Sequence, residues 1–222
     1  MVEQDYIANK TIFTFWTGTN TMSETRLQCL LNTIMVSRCN IILVTPVNLH
    51  DYIAPESIHP AYQYLSETHK ADYLRTYFMH HYGGGYSDIK QQTGSWLLAF
   101  EYMQNNSEYY ICGYPESGEG DIAGTYEIRE QWRDLIGNGA YICRPKTPFT
   151  TKWYETMVKL LDAKLDTLKL HPASVPRDCA ENGSGYPIEW NEMLGRIFHR
   201  VLCEFKDKII KQIPRLIFNN YR

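Results

Sequence analysis

The stretch SETHKADYLRTYFMHHYGGGYSDIK, residues 66–90, decides the reading of this chain. Ser66 is a helix-capping residue, Leu74, Phe78 and Tyr82 recur at every fourth position, and Gly83 supplies a stop. The spacing therefore predicts a helix from Ser66 to about Tyr82. Three glycines follow, which let the chain turn sharply and give a ligand close access to backbone before a strand at Tyr86-Ser87-Asp88-Ile89. Asp72 and Arg75 lie three apart and share a helix face; alone, such a pair is most often a surface ion pair worth at most about 1 kcal/mol. Tyr86, Asp88 and Lys90 alternate onto one face of the strand. At the carboxyl end of a parallel strand, Asp88 faces the crevice where α/β sheets bind ligands, which favours a functional reading.

Upstream, Thr11-Ile12-Phe13-Thr14-Phe15-Trp16 is rich in β-branched and aromatic residues and stops at Thr17-Gly18, as a first strand does. From Ser23, a second cap, Leu27, Leu30, Leu31, Ile34 and Met35 recur at helical spacing, and the unbroken run Ile41-Ile42-Leu43-Val44 reads as a buried strand. Strand, helix and buried strand predict a parallel βαβ unit. Beyond residue 95 the pattern loosens, with strands expected near 109–112 and 140–143 and helices near 148–169 and 187–204. Gly137-Asn138-Gly139-Ala140 is either a simple turn before a strand or a place of close sugar approach, with Asn138 the candidate contact. The segment from Gly183 to Trp190 is either a closing lid or a loop in which Trp190 begins a helix core. His80 and His81 on the second helix carry no assignment, since no His-Glu-x-x-His spacing supports zinc.

Composition narrows the function classes. A chain of 222 residues with 44% hydrophobic content can bury one substantial core, and no linker-like stretch divides it. A net charge of −3 without a basic run disfavours nucleic acid. No apolar run approaches the length of a membrane span, and the acidic, polar start is unlike a signal peptide, so a soluble, cytoplasmic protein is expected. Six cysteines form no Cys-x-x-Cys pair and read as reduced, mostly buried thiols. Dinucleotide-binding, P-loop and serine-hydrolase motifs do not occur.

The segment Ala71-Asp72-Tyr73-Leu74-Arg75 followed by Gly83-Gly84, Tyr86 and Asp88 resembles the donor-site signature of retaining GT-A glycosyltransferases of the sugar-binding, Asp-x-Asp type. That family includes capsular-polysaccharide transferases, initiating mannosyltransferases and clostridial glucosylating toxins. Phe13-Thr14-Phe15-Trp16-Thr17-Gly18 is similar to its first strand with a Trp-x-Gly ending. The resemblance covers roughly the first 90 residues and implies an α/β, GT-A-like mixed and mainly parallel sheet flanked by helices. It implies one domain over residues 1–222, with about 1–92 the donor half and about 93–222 the acceptor half and closing loop. Carried over residue by residue, it implies that Trp16, with Thr17 and Gly18, binds a uracil ring. Asp72 and Arg75 would take the ribose and transferred sugar and Tyr86 the sugar-phosphate region, with Asp88 at a Mn²⁺ or Mg²⁺ ion and Gly84 and Lys90 as further donor-binding candidates. Asp88 and Arg75 are then the catalytic candidates. The implied reaction is hexosyl or deoxyhexosyl transfer from a UDP-sugar to a carbohydrate or glycoprotein acceptor, with retention. The small, anchor-free form is similar to stand-alone transferases of bacterial or large-virus glycan pathways.

One position departs from that pattern. Asp88-Ile89-Lys90 places a lysine where the family has a second aspartate. Three readings follow. Asp88 holds the metal with help from the diphosphate, water and a group such as His171, Asp178 or His199, which is the preferred one. Alternatively, the Lys90 ammonium itself stabilises the departing phosphate. In the third, the site binds a nucleotide sugar without turnover. A sugar-phosphate nucleotidyltransferase is a further alternative, disfavoured because no glycine-rich phosphate loop follows the first strand.

Overall fold

A computed structural model of the chain describes residues 5–219 and 221. Its sheet is built from β1 (Thr11–Phe15), β2 (Asn40–Val44), β3 (Gly84–Ser87), β4 (Ile111–Pro115), β5 (Ile136–Cys143) and β6 (Ile209–Ile210). The strand order is β2-β1-β3-β5-β4-β6. β1 pairs in parallel with β2 and with β3, so that Phe13 lies beside both Ile42 and Tyr86. β5 runs antiparallel between β3 and β4, and β6 joins β4 in parallel. The α/β mixed sheet expected from sequence is therefore present.

The helices are α1 (Glu24–Ser37), α2 (Glu67–His81), α3 (Leu97–Asn105), the single turn α4 (Tyr126–Arg129), α5 (Pro148–Leu170) and α6 (Gly195–Leu202). The chain passes from β1 through α1 to β2 on one side, then through α2 to β3 on the other side of β1. The direction of winding thus reverses between β1 and β3. Such a reversal opens a crevice at the carboxyl ends of the two strands.

Period-two alternation divides the sheet between two apolar layers. Phe13, Tyr86, Tyr141 and Cys143 face one layer with Phe78, Trp153 and Phe198, drawn from α2, α5 and α6. Ile12, Cys112, Ala140 and Ile142 face the other, with Phe100 and Met103 from α3. α2 begins where expected because Ser66 accepts a hydrogen bond from the His69 amide, and it ends at Tyr82 with Gly83 at φ +65°.

Four sequence expectations are corrected. The helix predicted over 187–204 is confined to Gly195–Leu202, with turns before it. Gly137, Asn138, Gly139 and Ala140 are part of β5 rather than a turn leading to it. A Cβ on Gly137 would lie 1.9 Å from the Tyr114 ring, so its lack of a side chain accommodates that tyrosine. On α1 the helix is confirmed, but Cys29, Leu30, Thr33 and Ser37 are its buried residues. Leu27, Leu31, Ile34 and Met35 are exposed, Met35 by 78%, because α1 packs at the edge strand β2 and is covered on one narrow face. Finally, the glycines at 83–85 sit in the interior. Gly84, at φ +82°, has Tyr6 Cβ 2.8 Å and the Thr11 carbonyl 3.1 Å from where a Cβ would be, and Gly85 faces Ile12 and Phe100. The glycine run admits neighbouring protein chain to the amino end of β3 and gives no ligand access there.

Candidate active site

A cleft of about 340 Å³ opens at the carboxyl ends of β1 and β3. Phe15, Trp16, Thr17, Gly18 and Asn20 line it from the end of β1, and Tyr86, Asp88, Ile89 and Lys90 from the end of β3. The first turns of α2 contribute Glu67, Thr68, Ala71 and Arg75; Arg26, Pro176, Arg177, Trp190 and Tyr221 complete the wall. No residue of β2 lines it, so of the three neighbouring strands β2, β1 and β3 only the last two border the site.

The strand-end segment is held by local bonds. Trp16 Nε1 donates to the Asn20 carbonyl at 2.8 Å and Thr17 Oγ1 to the Glu67 carbonyl at 2.7 Å, tying the β1 loop to α2. The indole is half-buried, packed against the small cluster of Cys29, Leu30 and Ile89, and borders the cleft.

At the floor, Asp88 is the hub of an ion-pair cluster. Its Oδ1 accepts from the Tyr86 hydroxyl at 2.5 Å and lies 3.3 Å from Arg75 Nη2; its Oδ2 lies 2.5 Å from Lys90 Nζ. Burial opposes charge on this carboxylate, but Lys90 and Arg75 beside it and the hydrogen bonds from Lys90 and Tyr86 outweigh that and hold its pKa at about 2. Arg75 also pairs with Asp72 Oδ1 at 3.3 Å, donates to the Asn138 carbonyl at 3.1 Å and lies 4.4 Å over the Tyr86 ring. Burial alone would weaken its charge; Tyr86, Asp88 and Asp72 around it raise its pKa further above the ordinary value. Burial raises the pKa of Asp72 despite Arg75.

Of the residues singled out from sequence, Trp16, Thr17, Gly18, Arg75, Tyr86, Asp88 and Lys90 border the cleft. Asp72 lies behind Arg75, and Asn138 reaches the site only as a carbonyl that holds Arg75. Gly84 is at the opposite end of its strand. The Asp72–Arg75 pair is itself buried, which sets it apart from a surface ion pair.

The far wall comes from the second half of the chain. Asp178 is buried and accepts from the Ser174 amide, the Ser174 hydroxyl and the Ser184 hydroxyl at 2.7–2.9 Å. This closes the loop that presents Pro176 and Arg177, and the Thr68 amide donates to the Pro176 carbonyl. Tyr186 is buried, its hydroxyl accepting from the Ser66 amide at 3.3 Å and lying 2.9 Å from His69 Nδ1. The segment proposed as a lid is thus pinned to α2 at Tyr186 while Trp190, with Arg177 5.1 Å over its ring, faces the cleft. Sequence reading missed Arg26, Arg177 and Tyr221, which come from three distant segments and carry no local motif.

The side chains around Asp88 do not fit a divalent-cation site. Hard oxygen-seeking ions take carboxylates and carbonyls as ligands, whereas the two oxygens of Asp88 are taken by two cations and a hydroxyl and Asp72 lies behind Arg75. Among the described residues no three His, Cys, Asp or Glu side chains converge as metal ligands. His171, Asp178 and His199 are not in the cleft; His199 is buried against Ala123. No helix among the described residues is long and apolar enough to cross a membrane.

Residues 2–108 match the family described as capsular polysaccharide synthesis protein. No curated protein matches the chain. Among solved structures, the PaToxG glycosyltransferase aligns over 88% of this chain and 68% of its own, with a TM-score of 0.52 at 13% identity. The chain has the GT-A-like fold of a glycosyltransferase, and its first half carries the sequence pattern of capsular polysaccharide synthesis proteins.

Proposed function

We propose that the protein transfers a hexose or deoxyhexose from a UDP-sugar to a hydroxyl of a glycan or glycoprotein, with retention at the anomeric carbon. The observation that carries this reading is the meeting of Trp16 with the Asp88–Arg75–Lys90 cluster in one cleft at the β1–β3 winding reversal. Four basic side chains, Arg26, Arg75, Lys90 and Arg177, face it against two acidic ones, Glu67 and Asp88, in a chain whose overall charge is −3. Such a local excess attracts a dianionic diphosphate.

In this reading the uracil lies on Trp16 and the diphosphate beside Lys90. Trp190 and Arg177 face the acceptor sugar, for which an aromatic ring offers apolar area. The bond between the anomeric carbon and the phosphate oxygen breaks, and its electron pair leaves with the diphosphate. The acceptor oxygen forms the new bond, and its proton passes to the departing phosphate. Preorganised positive charge at the diphosphate and a fixed acceptor orientation supply the acceleration.

The test is release of UDP from a panel of UDP-hexoses by the purified protein, with and without oligosaccharide acceptors. Acceptor-stimulated release is expected. Tight donor binding without release from any donor would replace this reading with a nucleotide-sugar-binding module, for which Lys90 in place of an aspartate is the motivating observation.

A further inference from the structure

We infer that this site binds the donor diphosphate without a divalent cation, with the Lys90 ammonium in the cation's place and Asp88 as its counter-ion. The inference rests on the nucleotide-sugar reading above and concerns what neutralises the leaving group.

Lys90 Nζ lies 2.5 Å from Asp88 Oδ2, and the lysine side chain is only 12% exposed. Its ammonium lies over two rings, with Nζ 4.5 Å from the Phe218 centroid and 5.0 Å from that of Tyr221. A long flexible side chain is thereby confined to one place at the cleft floor, as a catalytic cation must be. Arg26 stands on the same rim: its guanidinium carbon is 4.7 Å over the Tyr221 ring, and its Nη1 donates to the Ile89 carbonyl at 2.7 Å. Two cations from separate elements, α1 and the β3 end, therefore flank one aromatic ring at the mouth of the same cleft.

A dication seated on Asp88 would have to displace Lys90 from Oδ2 or stand beside it, and would meet Arg75 on the other oxygen. Like charges so placed repel strongly in a water-poor cleft. A diphosphate, in contrast, finds an ammonium already positioned and partly neutralised by a carboxylate that cannot follow it. Point-charge neutralisation by lysine is a standard mode of phosphate binding.

The decisive experiment is calorimetric titration of the wild-type protein with UDP and UDP-sugars in EDTA and again in MnCl₂. The dissociation constants should agree within about twofold. Lys90→Gln should weaken UDP binding at least tenfold in EDTA, with its thermal midpoint recorded to separate this loss from unfolding. Lys90→Asp, which supplies the second carboxylate, should regain at least tenfold on adding Mn²⁺. Because Asp88 acts through Lys90, Asp88→Asn should add little to the loss caused by Lys90→Gln in the double variant, and its effect should be the same with and without Mn²⁺. Wild-type binding that requires Mn²⁺ would overturn the inference and leave the donor-site reading standing. Binding under neither condition would overturn both.

Discussion

The two ends of β3, a strand of four residues, are built for opposite purposes. At its amino end, Gly83, Gly84 and Gly85 lie against Pro145, Tyr6 and Ile12, and space that a side chain would fill is occupied by neighbouring protein. At its carboxyl end, Tyr86 and Asp88 gather Arg75 and Lys90 into a partly buried charge cluster at a cleft. In sequence the glycines and the acidic residue read as one continuous motif. In space the glycines determine how closely the sheet packs, and the charges determine what the cleft can hold.

Arg75→Ala should have the largest effect on stability. It leaves Asp72 without its ion pair and Asp88 with Lys90 as its remaining cation, and breaking a buried ion pair from one side costs about 3–5 kcal/mol. Urea denaturation of the variant measures this, and a midpoint equal to wild type would mean that the cluster is a solvated feature of the cleft with no structural part.

Gly84→Ala comes next. A Cβ there must accept a left-handed conformation and displace Tyr6 or the Thr11 carbonyl, for about 2–4 kcal/mol together. UDP affinity per folded molecule should not change. The reverse result, normal stability with weakened UDP binding, would make the glycine run part of the ligand site and erase the difference between the two ends.

Gly139→Ala, on β5 beside Asp88, is the mildest. Its Cβ would lie 3.2 Å from the Tyr114 hydroxyl and 3.4 Å from Asp88 Oδ2, and its backbone is not in the left-handed region. A change of about 1 kcal/mol or less is expected, since the entropy lost by the unfolded chain offsets the tight contact. A loss as large as that at Gly84 would show that the carboxyl end is packed as rigidly as the amino end.

These contrasts also separate what could be read locally from what could not. α2 was legible because a serine cap, a fourth-residue apolar period and a glycine stop are set by neighbours within a few residues; β3 was legible as a strand but runs over Gly84–Ser87, two residues earlier than the expected 86–89. α1 was legible as a helix and misleading about its buried side. Its apolar stripe follows helical spacing, yet which residues are covered depends on how α1 meets β2 at the sheet edge.

By itself the sequence determined the strand–helix–strand core and the likeness to a donor-site pattern, because backbone periodicity and chain neighbours decide these; Asp88 and Lys90 follow the end of β3, where the chain bends, so strand alternation did not decide their facing. Only the tertiary structure decided that Asp72 and Arg75 are buried, that Lys90 occupies an oxygen of Asp88, and that Arg26, Arg177, Trp190 and Tyr221 close the same cleft. Those four residues approach through packing between segments far apart in the chain. The reach of each group depends on neighbours that no local pattern specifies.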